Sequence, residues 1–290
     1  MRALPPSRAV DLLHGVPFGQ PAHPALVRLP IGCWTSAVLL DWLGGRGHGR
    51  GREAERASAT LIAAGVATAL PAAASGLADW SALHTHQQRV GLVHAIAQTA
   101  ATLLFAGSLL ARATGRRGSG TALAVGGLAT ASVGGYLGGY LAMRLGAGSS
   151  HAEPIGHLAA IGWQDLCPLA ELPPGRPARR QLGYLSLLAV RADEAVFVLS
   201  DQCSHLGGPL HQGRLVIDRG DACIVCPWHG STFRLSDGGV RRGPATATQP
   251  PFETRVSDSG VVQVRPLHTG AAAKTAKPRW LPRPFRSAAG

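Results

Sequence analysis

Charged and aromatic residues are both scarce in this 290-residue chain: Asp, Glu, Lys and Arg make up 15%, and Phe, Trp and Tyr 5%. Soluble domains carry about 25% charge, which argues against a wholly soluble enzyme. The cysteines are few and odd in number: Cys33, Cys167, Cys203, Cys223 and Cys226. Their count and uneven spread exclude a disulfide framework. Residues 1–26 contain Asp11, His14 and several prolines, so no cleavable signal peptide is visible. A concentrated basic surface is missing as well. Of the net charge of +12, residues 1–154 carry +6, residues 155–268 carry +1 and residues 269–290 carry +5. A nearly neutral domain between basic flanks does not fit a nucleic-acid binder, which wears its charge on the folded surface. Juxtamembrane arginines and a basic tail near anionic lipid account for the imbalance.

Apolar residues, by contrast, are plentiful at 46%, and they gather in four stretches at residues 26–45, 57–78, 90–111 and 121–143. Each is about the 20 residues needed to cross a bilayer core as helix. The second has no charge at all, so it lacks the polar face of a soluble amphipathic helix. The first is the weakest span, because Pro30 and Asp41 lie within it. Gly126, Gly127, Gly134, Gly135, Gly138 and Gly139 in the fourth allow close helix approach.

Four spans put the N-terminus, the loop at 79–89 and the segment after 143 on one side of the membrane. That side holds His23, Asp79, His84 and His86, with His94 about one turn into the third helix and Gln98 one turn deeper. Ionisable groups inside a membrane point to function. The alternatives are a quinone or metal-proximal site, with His94 paired to Gln98 or Asp79, and plain hydrogen bonding at the interface. Haem is disfavoured, since only His94 lies clearly inside a span and a bis-histidine site needs a second histidine opposite. Orientation stays open. Arg46, Arg50, Arg52, Arg56, Arg112, Arg116 and Arg117 on one side face Arg2, Arg8, Arg28, Arg89 and Arg144 on the other, too small a bias for the positive-inside rule to decide.

From residue 183 the apolar runs shorten to YLSLLAV, AVFVLS, RLVI, CIVC, TFRLS, ETRVS and VVQV, with Gly- and Asp-rich punctuation between them. Such runs predict antiparallel strands, in an all-β domain joined to the helices through the Pro-rich CPLAELPPGRP. Two loops each pair a thiol with an imidazole: Cys203 with His205 in CSHLGGPL, and Cys226 with His229 in CPWHGS. Glycine at 207, 208 and 230 lets backbone amides approach a sulfur with no Cβ in the way. Structural zinc takes four donors on one ion and usually groups its cysteines apart from its histidines. A mixed-ligand [2Fe–2S] centre takes two Cys on one iron and two His on the other. One Cys and one His per loop favours the cluster.

These motifs, with GRLVI between them and GGVRRGPA after them, resemble the Rieske iron–sulfur domain over residues 155–268. The resemblance implies one [2Fe–2S] cluster per chain. Cys203 and Cys226 would hold the buried iron and His205 and His229 the outer, reducible one. Gly207, Gly208, Trp228, Gly230, Ser231, Phe233 and Pro244 would surround it. Quinol-oxidising respiratory members have an added cysteine in each loop and a disulfide clamping the two; Gly208 and Trp228 stand there instead. Those members also place a Tyr where this chain has Phe233, and the loss of a hydroxyl donor lowers the potential. The site is therefore more similar to Rieske ferredoxins and to the electron-entry domains of ring-hydroxylating oxygenases. The 61 residues after His229 contain only His268, so a mononuclear-iron oxygenase module is not expected. Cys223 faces away from Cys226 by the strand period and is expected in the core.

The membrane half resembles a bacterial four-helix domain, the domain of unknown function 2231, through HPALVRLPIGCWTSAVLLDWL, GLADW and HQQRVGLVHA. Its characteristic positions would be His23, Asp41, Asp79 and His94; it implies a scaffold and no chemistry. The chain is thus read as multi-domain: a segment at 1–25, a transmembrane four-helix bundle at 26–145, a linker at 146–159, an all-β Rieske-type domain at 160–268 and a basic, disordered tail at 269–290. The function expected is one-electron transfer from a bacterial-type cytoplasmic membrane, with a redox protein or quinone as partner. The alternatives are a quinol-oxidising subunit and a structural or redox-sensing membrane protein.

Overall fold

The computed structural model describes residues 7–44, 51–159, 161–193 and 195–267; Arg2, Arg46, Arg50, His268 and the basic tail lie outside them. The chain divides into two units. One is formed mainly by residues 21–148, the other by the residues from Ser149 on together with residues 7–12 and 16–20.

After α1 (Arg8–His14), α2 (Ala22–Leu26) runs through a break at Val27 into α3 (Arg28–Gly44). The bundle is completed by α4 (Gly51–Ser81), α5 (Thr85–Ala113) and α6 (Arg117–Gly139), the last continued by a π turn at Tyr140–Arg144. Four spans, Ala22–Gly44, Arg52–Ser81, Thr85–Ala113 and Arg117–Arg144, are long and apolar enough to cross a membrane. They overrun the apolar stretches because Arg side chains at the ends can reach polar surroundings from a helical backbone. Pro30 falls in the first turn of α3, where no intrahelical N–H is needed. Asp41, the other irregularity of the first span, is answered by Arg112 near the end of α5. The guanidinium reaches both carboxylate oxygens, and both side chains are buried.

The bundle core centres on Trp34 stacked on Phe105, centroids 4.4 Å apart, among Ala37, Ile62, Ala101 and Ala124. Gly127 lies against Phe105, Gly134 against Gln98 and Gly138 against His94, so these three let α5 and α6 approach closely. Gly126, Gly135 and Gly139 meet nothing within 4 Å; they do not serve the close packing expected of them. Leu70, Leu77, Leu103, Leu110, Val133 and Met143 are all exposed, an outer surface suited to lipid rather than water.

Besides most of α1, the second unit holds the short helix α7 (Ile155–Leu158) and, among the described residues, ten strands. They are β1 (Gln164–Pro168), β2 (Pro177–Leu182), β3 (Leu185–Ala192), β4 (Ala195–Ser200), β5 (Arg214–Asp218), β6 (Asp221–Val225), β7 (Thr232–Arg234), β8 (Val240–Arg242), β9 (Pro251–Val256) and β10 (Val261–Pro266). A six-stranded antiparallel sheet has the order β1-β10-β9-β4-β3-β2, and a four-stranded one the order β5-β6-β7-β8. All seven apolar runs are strands.

Two expectations about connections fail. The Pro-rich run is no tether: Cys167 and Pro168 end β1, Leu172 is buried in the core, and Pro177 opens β2. Nor are residues 149–159 a free linker. The His151 amide donates to Ser204 O at 2.9 Å, and Ala152, Ile155 and Ala159 are buried. Ile155 and Ala159 pack with Cys167 and Val264, and that apolar burial outweighs the freedom a linker would keep.

Candidate metal centre

β4 feeds the loop at 201–213 and β6 the loop at 226–231, and both loops close in the same way. The amide of the glycine four residues on returns to the cysteine carbonyl: Gly207 N to Cys203 O at 2.8 Å, Gly230 N to Cys226 O at 3.1 Å. The cysteine amide in turn donates to the fifth residue's carbonyl, Gly208 at 2.9 Å or Ser231 at 2.8 Å. Gly207 and Gly230 have φ of 78° and 80°, where a Cβ is strained. This turn aims backbone N–H groups at sulfur, those of His205 and Leu206 at Cys203 and those of Trp228 and His229 at Cys226.

The two thiols lie together, Cys203 1% and Cys226 3% exposed. Their mutual hydrogen bond pushes Cys203 well up, with burial adding to it, and brings Cys226 down to about 7 against the opposing effect of burial. His205 and His229 are half-buried, edge to face, with ring centroids 5.0 Å apart. A thiol pair below an imidazole pair, with amides aimed at the sulfurs, fits a centre with two thiolates on one iron and two imidazoles on the other.

A Cβ at Gly208 would stand 2.8 Å from Cys226 Sγ and 3.1 Å from the Trp228 ring. The indole thus packs over the bare glycine, and all five cysteines are free. Ser231 is fully buried, its Oγ accepting the Ala245 amide at 3.0 Å just beyond the cis Gly243–Pro244 bond. Phe233 is equally buried, in the apolar cluster that contains Cys203 and Cys226. A hydroxyl on that ring would stabilise the reduced cluster by about 1 kcal/mol. Phe233→Tyr is therefore expected to raise the one-electron potential by about 40 mV; an unchanged potential in the folded variant would show that residue 233 does not act on the cluster.

Several supporting residues had no motif to reveal them. Gln249, fully buried, takes the Ser204 amide on Oε1 at 2.9 Å and donates to Ser200 O at 2.9 Å. Asp201 accepts from the His211 amide and ring, both at 2.7 Å. Asp11 accepts the Gly243 amide at 2.9 Å and pairs with Arg242. Asp201, just before the first cluster motif, is the one with a local signal; for Gln249 and Asp11 only the fold shows which backbone they reach.

The family model for the Rieske [2Fe–2S] domain matches residues 162–256. The 3-phenylpropionate/cinnamic acid dioxygenase ferredoxin subunit of Escherichia coli (strain K12) is 31% identical over 80 residues, which are 28% of this chain and 72% of that protein. The chain belongs to the Rieske [2Fe–2S] family. Its Rieske domain is homologous to ferredoxin electron carriers, and the cofactor of the domain is a [2Fe–2S] cluster. The helical half matches the model of a predicted membrane protein, DUF2231, over residues 19–151. Apoptosis-inducing factor 3 of Mus musculus is 29% identical over 96 residues, 33% of this chain but only 15% of the length of that protein. Among solved structures, the carbazole 1,9a-dioxygenase ferredoxin of Nocardioides aromaticivorans IC177 is similar at 24% identity and TM-score 0.33, over 36% of this chain and 98% of that one.

In the helical unit only part of the expected histidine group comes together. His23 and His94 are neighbours, centroids 6.3 Å apart and planes at 85°. Asp79 pairs with His14 Nδ1 at 2.7 Å instead of with His94. The His94 Nδ1 partner is Gly134 O at 2.7 Å, and Gln98 Nε2 sits 3.5 Å from Ala131 O. The bare glycine turn on α6 brings that carbonyl within reach. His84 precedes α5, its amide donating to Gln87 Oε1 at 3.0 Å, and both His84 and His86 are exposed.

Proposed function

We propose that this chain is a one-electron carrier anchored in a bacterial-type cytoplasmic membrane, with Cys203 and Cys226 holding the inner iron of the cluster and His205 and His229 the outer. The observation that carries this reading is the graded burial of the four donors, sealed thiols beneath half-exposed imidazoles. When bound, the cluster supplies a one-electron couple whose potential follows its hydrogen bonds and exposure. The chain's own residues do the rest. Amides at 205, 206, 228 and 229 soften the thiolate charge, and the twin glycine turns hold both loops closed. His205 and His229 occupy the outward end, beside Trp228, which is 49% exposed. An aromatic at the rim of a polar site suits docking of a redox donor or acceptor protein.

The test is an EPR-monitored redox titration of the full chain in mild detergent at several pH values. One wave is expected in the lower part of the range of about −150 to +300 mV open to such centres, constant across neutral pH. A high potential that falls by about 59 mV per pH unit would mark proton-coupled quinol oxidation and replace this reading.

A further inference from the structure

We propose that His23 and His94 are the axial ligands of a haem held non-covalently inside the four-helix unit, a redox site separate from the cluster and independent of its assignment. His23 Nδ1 lies 2.9 Å from Ala72 O, and His94 Nδ1 lies 2.7 Å from Gly134 O. A carbonyl only accepts, so each Nδ1 carries the ring proton and each Nε2 keeps its lone pair. Such second contacts fix the tautomer of metal-bound histidines. Neither Nε2 has a hydrogen-bond partner among the described residues.

The same construction occurs twice. Four residues beyond each carbonyl stands a glycine, Gly76 on α4 and Gly138 on α6, where a Cβ would come within 2.8 Å and 3.2 Å of the ring Cε1. Each imidazole thus rests its Nδ1–Cε1 edge on a bare helical turn and turns its Nε2 edge away from it. The four contributing segments lie toward one end of the bundle: the start of the first and third spans and the end of the second and fourth.

The spacing selects the ligand. With a metal–nitrogen distance of about 2.0 Å and roughly 1.1 Å from nitrogen to ring centre, two imidazoles on opposite sides of one ion have centroids about 6 Å apart; the observed value is 6.3 Å. A quinol bridged by both nitrogens would need about 11 Å between them, two hydrogen bonds of about 2.8 Å added to the width of the ring. Rings this close cannot provide it. Among the described residues no third His, Cys, Asp or Glu joins the pair, so an ion here must bring its other donors with it, as iron in a planar tetrapyrrole does. A bis-histidine site needs a second histidine opposite His94, and His23 stands in that place.

The full chain, produced in haem-sufficient cells and purified in mild detergent, should yield one haem per chain by pyridine haemochrome, with a low-spin bis-imidazole EPR signal. His23→Leu and His94→Leu should each cut haem to below a tenth while acid-labile sulfide stays constant, and His86→Leu should leave haem unchanged. His23→Met keeps a ligand and should retain haem with an altered low-spin signal, which guards against simple misfolding. A chain with its full sulfide content that takes up no haem even on titration with hemin would overturn the proposal. So would equal haem in the His23→Leu and His94→Leu proteins, or a stoichiometric quinone in place of haem.

Discussion

Cys226→Ser is expected to abolish the cluster, with acid-labile sulfide falling below a tenth of the unmodified protein's, whereas Cys223→Ser should leave it unchanged. The two cysteines are three residues apart and both buried, so proximity alone predicts no difference. Their surroundings do. Cys226 shares a hydrogen bond with Cys203 and takes two backbone amides, which together bring it down to about 7, thiolate being the form that binds iron. Cys223 is pushed up to about 11, mainly by burial and then by Asp218, and its Sγ lies 3.5 Å from Asp221 O. It is a neutral core thiol on the other side of β6. Serine cannot replace Cys226, because a hydroxyl keeps its proton near neutrality. Sulfide analysis of both variants decides the matter; loss of the cluster in Cys223→Ser with retention in Cys226→Ser would reverse the assignment.

The other large effect belongs to the bundle. Arg112→Ala leaves the Asp41 carboxylate buried between helices without its guanidinium, and breaking a buried pair from one side costs about 3–5 kcal/mol. Thermal unfolding in detergent should fall by roughly 10 °C, taking about 2–4 °C per kcal/mol for a chain of this size. Combining Arg112→Gln with Asp41→Asn removes both charges and should recover most of the loss. A single variant as stable as the parent would mean that the pair contributes nothing to the bundle.

The cluster loops were legible in the sequence because the chemistry demands particular residue types at short, fixed spacing, and CSH and CPWH satisfy it locally. The seven apolar strands were legible for a similar reason, since a buried face repeats every second residue. β2 and β8 escaped because PARRQL and VRR carry arginines at partly exposed edges, and β1 because QDLCP runs into prolines. Such features read as loop although the backbone pairs with β10, β3 or β7. What local pattern cannot carry is the partner across space. Asp41 looked like a defect in a span until Arg112, 71 residues away, met it. Ile155 and Ala159 looked like linker because so short an apolar pair has no period. His94 has no companion in the local pattern because His23 precedes the apolar stretch at 26–45, and only the fold shows that the helix begins early enough to bring the two rings together.

A mixed-ligand [2Fe–2S] cluster on the two matching loops is open to one decisive measurement: joint analysis of non-haem iron, acid-labile sulfide and reduced-state EPR on the purified full chain. A [2Fe–2S] stoichiometry per chain is expected, with a rhombic signal whose average g lies below that of an all-cysteine ferredoxin, because imidazole gives the outer iron less charge than thiolate does. One zinc per chain, no sulfide and no EPR signal after reduction would contradict it.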